Sequence, residues 1–252
     1  VLLPRAFMSS AVHRDVILKH NGAKMIVTIV EDVSASGPMS GRSWEGAEVL
    51  AQVLCDHFPA GVTGCVLELG CGTALPGLVM CKLGATTTVT DHNPQSDLIW
   101  ANATVNLTEK QASRLCIRRH SFGNTIGKWA AGVEHVIASE VVFDPGLIDP
   151  LVVSLEQVVR GQTLGWVAYR RRAEFENRFF RRAREYFHLS QIASCPVSRG
   201  AAGEETAIQV WQLRRRADAP PEERRSPCVA TIRSRSRTPP PRSRSPTPRR
   251  PG

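Results

Sequence analysis

No run in this 252-residue sequence approaches the ~20 uninterrupted apolar residues of a membrane-crossing helix, and no basic segment followed by an apolar stretch opens it. A soluble chain of the cytoplasm or nucleus is expected. No two cysteines have the C-x-x-C spacing of a zinc or redox site, since Cys55, Cys65, Cys71, Cys81, Cys116, Cys195 and Cys228 are scattered. Reduced thiols, mostly buried, are expected, and no metal. Net charge is missing over most of the length: residues 1–213 hold 20 Lys+Arg against 20 Asp+Glu. The whole excess of +9 sits in residues 214–252, where 12 arginines face Asp218, Glu222 and Glu223, and where nine of the 17 prolines also fall. Segment 233–250, RSRSRTPPPRSRSPTPRR, cannot bury enough surface to offset chain entropy. Residues 215–252 therefore read as a disordered tail on a neutral domain. The chain opens at Val1 without Met, so residues upstream are expected.

What is present has a clear period. β-Branched runs at 15–20 and 25–30 flank Asn21-Gly22, which predicts a β-hairpin within an N-terminal extension, residues 1–43. Residues 44–58 place Ala47, Leu50, Ala51, Leu54, Cys55 and Phe58 on one helical face. Short apolar runs near 65–69, 86–90, 115–119, 134–138 and 164–169 then alternate with helical segments near 76–83, 95–106, 147–160 and 172–186. That alternation predicts an α/β domain over 44–214, a mostly parallel sheet with helices on both faces. The last two runs, 187–193 and 206–213, have no helix between them, so a terminal antiparallel hairpin is expected.

The first strand of the alternating series runs into VLELGCGTALPG, residues 66–77. Gly70-Cys71-Gly72 permits a sharp strand-to-helix turn that a ligand can approach. Asp91 ends the second strand, 21 residues after Gly70, where a carboxylate can take a ribose diol. The dinucleotide pattern G-x-G-x-x-G fails, because its sixth position is Leu75. Glu68, moreover, would repel a pyrophosphate but suit an ammonium. S-Adenosylmethionine, with its sulfonium and amino-acid end, is the better electrostatic match than NAD. A lone G-x-G would equally serve as a tight turn without a ligand.

Seven sequence pieces in order carry a resemblance: Trp44-Glu45 opening a helix, VLELGCGTALPG, VTD at 89–91, Asn102 and Asn106 in ANATVNL, ASEVVFDP at 138–145, AYRRRAEFENRFF at 168–180, and IQVWQLRR at 208–215. Together they resemble the seven-strand, class I methyltransferases, in particular the methyltransferase-like 21 group of protein-lysine methyltransferases. LPG at 75–77 is also similar to the methyltransferase-like 23 branch, reported to act on arginine. The resemblance implies a Rossmann-like seven-strand sheet, S-adenosylmethionine as cofactor and a protein side chain, lysine first, as substrate. It implies that Trp44, Gly70, Cys71 and Gly72 line the methionine and ribose side and that Asp91 binds the ribose. Phe122 stands where the family has Trp beside the adenine, and Ser139 where it has Ala. The family's D-x-x-Y reads Glu140-Val-Val-Phe143, which keeps the charge on a longer side chain and loses the hydroxyl.

Glu140 and Phe143 are the catalytic candidates, with Glu140 attracting the cationic substrate. Simpler readings stand beside these. Trp44 and Phe143 suit a core, Glu140 a turn cap, Arg170-Arg171-Arg172 a solvated helix start, and His92 a loop. Arginine or histidine methylation is an alternative, as is a non-catalytic cofactor-binding adaptor, left open by the missing hydroxyl at Phe143. An RNA methyltransferase acting on base amino groups would carry N/D-P-P-Y/F after the fourth strand, which SEVVFDP does not supply. The tail repeats Arg-Ser steps, and Ser226, Thr238, Ser245 and Thr247 precede proline. These patterns resemble splicing-associated proteins and imply kinases and RNA or splicing proteins as partners, with no membrane.

Overall fold

A computed structural model of the chain describes residues 11–34, 39–170, 174–197 and 206–220. Asn21 and Gly22, both at positive φ, join β1 (Ala11–His20) to β2 (Ala23–Asp32) in the expected antiparallel hairpin. Its inward residues Val16, Leu18, Val27 and Ile29 are buried in the same core as α1 (Glu45–His57), so the hairpin and the following domain share one interior.

The sheet that follows has seven strands. β3 (Cys65–Leu69), β4 (Thr86–Asp91), β5 (Leu115–Arg119), β6 (Val133–Ser139) and β7 (Leu164–Arg170) run parallel, while β8 (Phe187–Val197) and β9 (Thr206–Arg215) close it antiparallel. The spatial order is β5-β4-β3-β6-β7-β9-β8. Strand order therefore reverses between β3 and β6, and the crevice outside the carboxyl ends of those two strands is where such sheets take ligands. α1, α2 (Leu75–Leu83) and α3 (Ser96–Asn106) cover one face, α5 (Ile148–Val158) and α6 (Asn177–Ala183) the other. Side chains alternate accordingly. Val66, Ile137 and Trp166 enter the first core, and Leu67, Val136 and Val167 the second.

Four local differences from the sequence expectation have physical causes. α4 (Glu109–Ala112) is a four-residue turn closed by a Thr108–Gln111 capping box, too short to show a period. α6 starts at Asn177 after a 3₁₀ turn at Glu174–Glu176 and ends at Ala183, because Tyr186 and Phe187 are drawn into the second core. β8 runs on to Val197 past a bulge between Gln191 and Ala193. β9 runs on to Arg215. Arg171 and Arg172, the loop between β8 and β9, Cys228 and the tail from 221 lie outside the described residues. The six described cysteines form no disulfide. No described helix is long and apolar enough to cross a membrane.

Amide side chains clamp the hairpin on both edges. On the β2 edge, Asn102 takes the Val30 N–H on Oδ1 (2.6 Å) and returns Nδ2 to the Val30 carbonyl (3.2 Å), and Asn106 treats Thr28 the same way (2.8 and 2.7 Å). Residues four apart on a helix thus pair residues two apart on a strand. On the β1 edge Gln52 of α1 does the same for Lys19 (2.8 and 2.9 Å).

Candidate cofactor and acceptor site

From β3 the chain turns through Gly70-Cys71-Gly72-Thr73-Ala74 into α2. Gly70 and Gly72 take positive φ, 69° and 50°. A Cβ on Gly70 would lie 2.7 Å from Val141 Cγ1 and 3.2 Å from Phe122 Cζ, so the bare backbone lets the loops after β5 and β6 close on the turn. The end of β4 holds it from the other side. Gly72 N–H donates to Asp91 Oδ2 (3.1 Å) and Cys71 N–H to the Thr90 carbonyl (2.9 Å). Asn102, already spent on Val30, donates its remaining N–H to the Thr73 carbonyl (3.2 Å), which couples the turn to the hairpin.

Glu68 lies behind the turn rather than on its open side. It is fully buried, and Oε2 accepts the Gly77 N–H in the first turn of α2 at 3.0 Å. A Cβ on Gly77 would stand 2.5 Å from that oxygen and 2.6 Å from Val89 Cγ1. Gly77 therefore does the packing work of the third glycine in a dinucleotide motif, two positions late. Among the described residues nothing donates to Glu68 Oε1, and neither Glu68 nor Asp91 has an ion-pair partner. Burial pushes Glu68 well above the usual carboxylate range, the Gly77 N–H opposes this, and the Asp91 charge adds to it. Burial, then Glu68 and Asp91, likewise raise the Cys71 thiol, and burial pushes Cys81 up to about 11. Both thiols are thus neutral walls and not nucleophiles.

This donor set can be tested against candidate ligands. The Asp91 carboxylate at the turn would repel a pyrophosphate, whereas a ligand bringing a positive charge and hydroxyl donors would suit it. S-Adenosylmethionine brings a sulfonium, an ammonium and a ribose diol, and it fits. Among the described residues no His, Cys, Asp or Glu cluster is arranged for a metal ion.

The loops beside the turn are pinned by polar contacts. Ser154 of α5 accepts the Gly123 N–H (2.9 Å) and meets His120 Nε2 (3.2 Å), which fixes the loop carrying Phe122. His92 Nδ1 meets Ser121 Oγ (2.7 Å) and joins the loops after β4 and β5, as befits a loop residue. At the neighbouring strand end, Ser139 closes β6 in register with Ala168, and Glu140 follows at φ 55°, its N–H donating to the Ala168 carbonyl (2.9 Å). The Glu140 side chain is half-buried against the first turn of α1, where a Cβ on Gly46 would lie 2.6 Å from both its Cγ and its Oε1. Glu45 of that turn pairs with Arg170 at the end of β7.

Trp44 and Phe143 are not core residues. They are 42% and 47% exposed, and the Trp44 indole N–H reaches the Met39 carbonyl at 3.4 Å. The fold thus gathers Gly70, Cys71, Gly72, Asp91 and Phe122 at one turn, with Ser139 and Glu140 at the end of the adjacent strand. Sequence reasoning missed Gly46, Gly77, Ser154 and the Thr73 contact of Asn102. Gly46, Ser154 and Asn102 act through partners distant in the chain and Gly77 through Glu68 nine residues back, and only the Asn102 and Gly77 motifs left any signal.

Residues 22–186, well over half the chain, match the lysine methyltransferase family. The chain belongs to that family. A lysine methyltransferase of this kind is a class I enzyme that uses S-adenosylmethionine as methyl donor. Among its relatives, protein N-lysine methyltransferase METTL21A of Danio rerio is 27% identical over 151 residues, covering 59% of this chain and 69% of that protein. Protein-lysine N-methyltransferase EFM3 of Chaetomium thermophilum is 26% identical over 145 residues, covering 53% of this chain and 43% of that protein. The fold is shared with P. horikoshii TYW2, solved in complex with MeSAdo, at 16% identity and a TM-score of 0.51, over 81% of this chain and 71% of that one.

Proposed function

We propose that this lysine methyltransferase family member transfers a methyl group to a lysine side chain of a protein, with Glu140 receiving the incoming cation. The observation carrying the reading is Asp91, set against a glycine turn and without an ion-pair partner among the described residues. Gly70, Cys71, Gly72, Asp91, Phe122 and Ser139 would hold the cofactor, with Trp44 at the rim, while Glu68, expected in that set, braces the turn from behind. When bound, S-adenosylmethionine supplies a methyl on a sulfonium, open to in-line displacement by a neutral amine. Glu140 attracts the lysine ammonium and orients it. Phe143, with no hydroxyl to offer, gives the methylene chain an apolar surface. Desolvation beside a cationic neighbour lowers the pKa of the ammonium, so that it gives its proton to solvent water and its lone pair is freed.

The tail belongs to the same proposal. Its Arg-Ser steps suit weak contact with RNA or splicing-associated proteins in the nucleus or cytoplasm, and its Ser-Pro and Thr-Pro steps suit kinases that would cancel its charge. The test is transfer of labelled methyl from S-adenosylmethionine to a whole-cell protein extract, with and without ribonuclease, followed by hydrolysis to amino acids. Label in methyl-lysine, unaffected by ribonuclease, is expected. Label in methylarginine or methylhistidine, or label lost with ribonuclease, would displace lysine as the acceptor. Absence of transfer by a protein that binds the cofactor would favour the adaptor reading.

A further inference from the structure

Position 140 carries a longer acid than the family's D-x-x-Y pattern, and something must make room for it. The half-buried Glu140 side chain is laid against Gly46, the second residue of α1. An added Cβ there would stand 2.6 Å from Cγ, 2.6 Å from Oε1 and 2.8 Å from Cδ. Carbon atoms normally approach no closer than ~3.5 Å, so even alanine at 46 would have to displace the carboxylate or the helix. Neither gives easily. The backbone at 140 is fixed by its bond to the Ala168 carbonyl (2.9 Å), and the first turn of α1 by the Glu45–Arg170 ion pair and by Ala47 N–H on the Trp44 carbonyl (2.9 Å). Gly46 is buried, so its missing side chain serves neither solvent nor a turn conformation.

We infer that Gly46 is a positioning residue for methyl transfer: it is the space into which Cγ and the carboxylate of Glu140 fold, and it thereby sets where the acceptor carboxylate sits. The inference rests on the proposed role of Glu140. A glycine in the first turn of a helix is otherwise a disadvantage against alanine, which has the higher helix propensity. Its value here lies in the partner across the crevice.

The experiment is a double-mutant cycle in the full chain, using Gly46→Ala, Glu140→Ala and the two combined. Methyl transfer to ribonuclease-treated cell extract, S-adenosylmethionine affinity by calorimetry and the thermal midpoint are read for each. Gly46→Ala is expected to lower transfer by about tenfold to a hundredfold, the scale of an ångström-sized misplacement, with cofactor affinity unchanged. In the double variant Glu140→Ala takes Cγ and the carboxylate out of the clash, so the thermal midpoint recovers relative to the sum of the single effects and transfer is no lower than in Glu140→Ala alone. If Gly46→Ala alone does not fold, recovery of folding in the double variant carries the same meaning. Additive losses, a silent Gly46→Ala, or no recovery of folding would each overturn the inference. Glu140→Gln separates this failure from that of the underlying reading. Undiminished transfer by Glu140→Gln removes the role of Glu140 itself, whereas its loss together with additivity in the cycle removes only that of Gly46.

Discussion

Glu68 and Asp91 differ at the residue scale although both are carboxyl groups of one turn. Glu68 is sealed behind the turn with one oxygen on the Gly77 N–H, and burial raises it well above its ordinary value of 4.5. The sign of the resulting pH dependence follows. Below that value both the folded and the unfolded chain hold the proton. Above it the unfolded chain releases the proton while the folded one keeps it, so stability falls as pH rises until the folded group also ionises. Glu68→Gln removes this dependence and keeps an oxygen for the Gly77 N–H. The thermal midpoint of the cofactor-free variant should equal that of the wild type near about pH 4 and exceed it increasingly as pH rises from roughly 5 to the point where the folded carboxyl ionises. A constant offset across that range would mean that Glu68 does not titrate as its burial requires. Asp91 calls for a different test, because its Oδ2 accepts the Gly72 N–H and simple truncation would loosen the turn. Asp91→Asn retains an acceptor and loses the charge. Calorimetry should show S-adenosylmethionine bound at least ~10-fold more weakly, about 1.4 kcal/mol, in a protein that melts normally. Undiminished affinity would remove Asp91 from the cofactor site.

At the scale of elements, the hairpin is held by three amides, and the two on α3 have unequal duties. Asn106 binds only Thr28 of the hairpin, besides the Asn102 carbonyl one turn back, whereas Asn102 binds Val30 and also the Thr73 carbonyl of the cofactor turn. Asn106→Ala should cost about 1–3 kcal/mol in urea unfolding, speed amide exchange at Thr28 and leave cofactor affinity alone. Asn102→Ala should cost at least as much and in addition weaken the cofactor. Equal cofactor effects from the two variants would show that the turn does not depend on the amide of Asn102. The same elements mark what the sequence could disclose. The parallel strands were readable because each is a short apolar run, and the glycine turn because its residue types are constrained by backbone geometry. The asparagine pair was visible only as a family motif, since its partners lie 72 and 78 residues away. α6 was drawn too long, because its helical spacing runs without a break into Tyr186 and Phe187, which the sheet side claims. Gly46 gave no signal, for a glycine in a helix looks like a weakness until the side chain lying against it is known.

Over the whole molecule, the described fold runs further into the basic segment than the charge count suggests. Arg214 and Arg215 belong to β9, Arg215 pairs with Glu156, and Arg216 pairs with Asp218 and donates to the Arg184 carbonyl. Arg215 and Arg216 fasten the end of the last strand to the domain, while Arg214 is exposed on that strand and meets Gln212 two residues back. Residues 221–252 still hold nine arginines against Glu222 and Glu223, an excess of seven positive charges. A phosphate adds about −1.5 to −2 charges, so about four modifications would cancel that excess. If the tail meets RNA by counterion release, the full chain should retain RNA at about 50 mM salt and lose most of it by about 200 mM. Replacing the nine tail arginines by glutamine in the full chain should abolish retention, and prior treatment with a proline-directed kinase should weaken it, while S-adenosylmethionine affinity is unchanged in both. Retention that survives the arginine replacement would move the contact onto the folded domain, where Arg181 on the exposed side of α6 and Arg184 just after it would be the next residues to replace.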